Sequence, residues 1–139
     1  MDFSSALSEL EKFGAEFIPP AGADALPRTQ GALQALGRIM LPLDLAEVYK
    51  SIDGIFMGDA EMFGLESHPF GRGQTRTIAE VNSDLRIGQR TIFGRNGLFF
   101  LVVDTDSGYA LMDIYTLRIV KKYDGAADAI RDCLLVGAL

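Results

Sequence analysis

The sequence predicts an α+β fold, and three observations carry that prediction. In the first half, apolar residues recur at spacings of three and four, the period of helices. Near residue 90 the pattern changes to short apolar runs separated by turn clusters, as in strands. After Asp124 the helical period returns. Helices first, a meander next and one closing helix make an α+β arrangement. Strands on such short connections run antiparallel. The expectation is N-terminal helices, an antiparallel sheet and a C-terminal helix packed on it.

Phe3, Leu7, Leu10 and Phe13, with Phe17 in line, predict a first helix over about residues 4–14. Pro19 and Pro20 cannot continue it. Residues 18–27 read as a long loop of Pro, Gly and Ala that covers something. Ala32, Leu33, Leu36 and Met40 suggest a second short helix, with Gly37 near its end. The stretch 41–64 organises the rest. Pro42 suits a first helical turn. Leu45, Val48, Tyr49 and Ile52 share one face, and Asp44, Glu47, Lys50 and Ser51 the other. Asp53-Gly54 stops the helix, a loop spans 55–61, and Met62 to Leu65 enters a sheet. Further on, Ile78 and Val81 mark a short element and 82–88 a loop. Strands are expected over 91–93, 98–103, 109–114 and 117–120, with Asn96-Gly97 as a hairpin turn. The cluster 104–108 is another turn. Asp124 is the expected N-cap of a last helix with Ala127, Ile130, Cys133 and Leu134 on its apolar face and Gly137 beyond it.

At 139 residues the chain is expected to form a single domain, 1–139, large enough to fold without metal or disulfide. Its net charge of −6 opposes non-specific binding to nucleic acid or anionic membranes and suits a basic partner. Cys133 is the only cysteine, the first residues do not read as a signal peptide, and no apolar run reaches membrane-helix length. Together these predict a cytoplasmic protein.

The candidates for chemistry are few. His68, the only histidine, sits before Pro69 with no motif around it and reads as a surface residue. Cys133 lies on an apolar helix face and reads as a small hydrophobe. Asp104-x-Asp106-x-Gly108 lacks the remaining ligands of a calcium loop and reads as a hairpin turn. Residues 71–76, Gly-Arg-Gly-Gln-Thr-Arg, lack a P-loop's lysine and spacing and read as a mobile surface loop. Asp53, Asp59, Glu61 and Glu66 form a loose acidic group around the central loop. They are the partner-binding candidates, because loops on a rigid scaffold commonly carry recognition. No catalytic constellation, cofactor site or metal site is expected.

The stretch 41–64 resembles the SUKH superfamily, which includes bacterial immunity proteins and cell-wall assembly regulators. The matching residues are Leu41, Pro42, Leu45, Tyr49, Asp53, Gly54, Phe63 and Gly64. Further matches in order are Asn82, Ile87-Gly88, the run 98–104, Gly108, Asp113 and Ala129-Ile130. The resemblance implies a protein-binding module without a shared catalytic set, and most concretely an immunity protein. Its partner would then be a cognate bacterial toxin of nuclease or deaminase type, with the chain itself a monomer or homodimer. A regulatory scaffold for another cellular protein is the alternative. A small hydrolase using Glu61, Glu66 and His68 is the third reading.

Overall fold

The strand-like second half supplies four consecutive strands, out to one edge, of a seven-stranded antiparallel sheet, and the helices pack around it. The computed structural model describes residues 1–85, 87–104 and 108–138. The first half runs α1 (Phe3–Lys12), β1 (Glu16–Phe17), α2 (Ala25–Ala35), α3 (Leu43–Val48), β2 (Ile55–Met57) and β3 (Ala60–Met62). A small hairpin, β4 (Pro69–Phe70) with β5 (Gly73–Gln74), and α4 (Ile78–Asp84) follow. The chain closes with β6 (Thr91–Arg95), β7 (Phe99–Val103), β8 (Tyr109–Asp113), β9 (Ile119–Tyr123) and α5 (Ala126–Ala138). The sheet order is β1-β2-β3-β6-β7-β8-β9, antiparallel at every step. The predicted α+β architecture is therefore the observed one.

The core lies between the sheet and α5. The helix crosses β2, β3 and β6 to β9, and α1 packs on its far side. Leu101, Val102 and Val103 on β7 are fully enclosed, as the continuous apolar run requires. Helix α4 packs on β6, with α2 against α4. Asn82 locks α4 in place. Its amide donates to Ile78 O and Ile92 O and accepts from Ile92 N, each at 2.8 Å.

The structure corrects several expectations. The second helix begins at Ala25, inside the expected loop, and ends at Ala35, leaving Leu36 and Met40 exposed. Pro27 falls in its first turn, where a missing N–H costs no intrahelical bond. Phe13 is also exposed, just past α1. Residues 55–61 are a tight hairpin, β2–β3, turning at Gly58-Asp59. Asn82 belongs to a helix, not a loop. The last strand is shifted to Ile119–Tyr123, because Leu117 takes a turn conformation at φ +61°. The β6–β7 hairpin exists, but neither Asn96 nor Gly97 has positive φ. Instead the Asn96 carboxamide accepts from Leu98 N and Phe99 N, both 2.8 Å, and donates to Cys133 O at 3.0 Å. Asp124 is exposed. At the start of α5, Asp44 of α3 accepts from Ala126 N at 3.1 Å and from the Tyr109 hydroxyl. The helix also continues through Gly137. Thr105, Asp106 and Ser107 of the expected turn lie outside the described residues. Asp104 accepts from Arg90 Nε at 2.9 Å.

Candidate functional site

The residues after α3 form a junction centred on Asp53. It is 2 % exposed, and its carboxylate accepts from Leu65 N at 2.7 Å and Glu66 N at 3.1 Å. His68 Nε2 lies 2.6 Å from its Oδ2. A carboxylate only accepts, so Nε2 carries the hydrogen. Gly54 follows at φ +143°, which favours glycine, and its oxygen accepts from Ile18 N. Gly64 is required by contact. A side chain there would begin 2.3 Å from Asp53 O. The Tyr49 hydroxyl donates to Phe63 O. Burial, with the Asp53 charge nearby, pushes that hydroxyl's pKa well above the usual tyrosine value.

This junction holds the base of an excursion, residues 65–77, that leaves the sheet and returns beside Gly64. Ile78 N donates to Gly64 O at 2.9 Å, closing it. Within the excursion, Ser67 Oγ donates to Thr75 O at 2.8 Å and His68 N to Thr75 Oγ1 at 2.8 Å. The β4–β5 hairpin thus stands on Asp53 through His68.

The hairpin walls a cleft of about 490 Å³. Phe56, Glu61, Arg95 and Phe100 are paired in turn across β2, β3, β6 and β7. Directly opposed residues share a face, so these four form a row that makes the floor. Phe70, Gly73, Gln74, Thr75 and Arg76 line one wall, and Val81 and Leu85 the end of α4 opposite. Phe56 and Phe70 stack with centroids 4.2 Å apart at 17°, joining hairpin to sheet. Arg95 Nε lies 3.5 Å from Glu61 Oε2. Arg76 pairs with Asp84 outside the cleft lining.

The four predicted carboxylates do not form one face. Asp53, a partner-binding candidate from sequence, is interior, with its carboxylate engaged by Leu65 N, Glu66 N and His68. Glu66 pairs with Arg28 Nη2 at 3.1 Å. Glu61 is in the cleft floor, and Asp59 is exposed at the β2–β3 tip. Glu61, Glu66 and His68 do not converge on one cavity. His68 is not a bland surface residue either, since it is half-buried on Asp53. Cys133 is buried, which pushes its thiol up to about 12, with the Asp132 charge adding to the effect. Among the described residues no group of three or more His, Cys, Asp or Glu is placed to hold a metal ion, and no helix is long and apolar enough to cross a membrane. The cleft phenylalanines were missed from sequence. Phe56 and Phe70 lie in strands of three and two residues, too short for any alternation to show which face they take.

No protein-family model matches the chain, and no curated protein or solved structure is significantly similar to it.

Proposed function

We propose that the chain is a protein-binding module whose cleft receives part of a partner, and that it works in the cytoplasm as an immunity protein neutralising a cognate toxin. One observation carries the binding reading. The cleft is open and gathers Phe56, Phe63, Phe70 and Phe100, with a single ion pair in its floor. Aromatic side chains around a concave site are the usual anchors of an interface. The toxin reading rests on the SUKH resemblance and on the net charge of −6, which would speed encounter with a basic nuclease or deaminase.

The test has two steps. The chain is co-purified from its native cell, the bound protein identified, and its affinity measured against wild type and Phe70→Ala. Cells expressing that partner are then scored for survival with and without the chain. A toxic partner, rescued by wild type and not by the variant, supports the whole proposal. A harmless partner with the same affinity loss removes the immunity role in favour of a regulatory scaffold.

A further inference from the structure

We infer that the cleft takes an extended, acidic segment of the partner protein, with a large apolar side chain among the phenylalanines and carboxylates against the arginines. This rests on the binding reading above and adds the chemistry of what enters.

The chain carries −6, yet the cleft and its rim are not acidic. The charged residues lining it are Arg76, paired with Asp84 beside it, and Arg95 against Glu61. Arg72 sits on the turn of the hairpin wall, with no ion-pair partner among the described residues. Arg95 touches Glu61 only at 3.5 Å and keeps 48 % of its side chain exposed. Its other guanidinium N–H groups have no partner among the described residues. A guanidinium presents five donors in a fork that fits a carboxylate.

The wall suits a main chain. Among the described residues β5 pairs only with β4, so its second backbone edge has no strand partner and can meet an extended segment. At Gly73 no atom lies within 4 Å of where a side chain would begin, so that face of the hairpin is open. Single-stranded nucleic acid also combines arginine with aromatics, but it needs free ring faces for its bases. Phe56 and Phe70 spend a face each on one another. The chain's net charge also repels a phosphate backbone. An apolar side chain needs only ring edges and the Phe100 surface.

The experiment titrates the full chain, ¹⁵N-labelled, with three probes. They are Ac-Asp-Phe-Glu-Leu-Asp-amide, its Asn/Gln counterpart Ac-Asn-Phe-Gln-Leu-Asn-amide, and oligothymidylate. The expected result is saturable shifts at the amides of Gly73, Thr75, Arg95 and Phe100, with the acidic peptide binding about tenfold tighter than the amide one, the product of two half-exposed charge pairs. Arg95→Gln, with its spectrum otherwise intact, should shrink that preference. Equal affinity for the two peptides, shifts elsewhere, no shift at millimolar peptide, or tighter oligothymidylate binding at the same amides would each overturn the inference. If the partner loses affinity for Phe70→Ala while the two peptides bind equally, the cleft remains the docking site and only the acidic segment falls. A partner that binds Phe70→Ala as tightly as wild type removes both.

Discussion

A carboxylate that accepts three hydrogen bonds away from water is costly to replace, because its donors are left buried and unpaired. Asp53→Ala should therefore lower stability by about 2–4 kcal/mol in urea denaturation. An unchanged midpoint would show that the junction does not hold the chain together. Gly64→Ala should cost about 1–3 kcal/mol, since the new methyl would press on Asp53 O. Both residues stand out in sequence, but as a helix stop and a strand entry. Their real relation is a contact across eleven positions, and neither periodicity nor capping rules encode such contacts. The pH dependence also belongs at this scale. Burial pushes the Asp132 pKa up, but hydrogen bonds from Tyr123, Lys121 and Arg131 outweigh it, so the folded value lies below 3.8. The unfolded chain then takes up the proton first on acidification, so this stabilisation is present above about pH 4 and lost below it. Tyr123 is raised above 10.0 by burial and by its bond to Asp132, and that contribution is lost as pH rises past 10. Asp132→Asn should flatten the acid limb of a stability-versus-pH curve, and Tyr123→Phe the alkaline limb. Unaltered limbs would contradict these assignments.

Among the elements, the sheet centre was the most legible part of the sequence. Leu101 lies in the run that marked a strand buried on both faces, and it is fully enclosed. Leu101→Ala should cost about 2–5 kcal/mol, and a wild-type midpoint would contradict its core position. The β8–β9 turn was less legible. Its carboxylate, Asp113, accepts from Tyr115 N and Thr116 N, and those N–H groups hold its pKa below the usual value. The turn then needs a left-handed residue, and the sequence supplies Leu117, 40 % exposed. Nothing in the side chain announces that conformation, so the strand was expected to begin there. Leu117→Asn should raise stability by about 1 kcal/mol, because Asn tolerates the conformation better and little packing is lost. A loss of stability would mean that the leucine's contacts matter more than its backbone. The short strands β1 to β5 were illegible for a different reason. Two or three residues cannot display a period, and their pairing comes from the Asp53 junction and the β6 edge rather than from their own composition.

For the whole molecule, the fold class followed from the sequence, but the site followed only in fragments. In the sequence Glu61 and the 71–76 stretch stand apart, one as a loose acid and the other as a surface loop. Only the sheet register and the returning excursion bring them to the same cleft. Of the four candidate carboxylates, Asp59, at the exposed hairpin tip, is the one with no ion-pair partner among the described residues, which suits it to long-range steering. Asp59→Asn should slow association with a basic partner at low salt and leave thermal stability unchanged. An unchanged rate would show that steering comes from elsewhere on the −6 surface. The central claim is that the partner docks in the aromatic cleft. Its most direct test is calorimetric titration of the co-purified partner against wild type and Phe70→Ala. Phe70 is 40 % exposed, so its truncation leaves the core intact. The account predicts a loss of about 2 kcal/mol in binding with a melting temperature lowered by only a few degrees, since the stack on Phe56 is lost while the core stays closed. Wild-type affinity in the variant would place the docking surface outside the cleft.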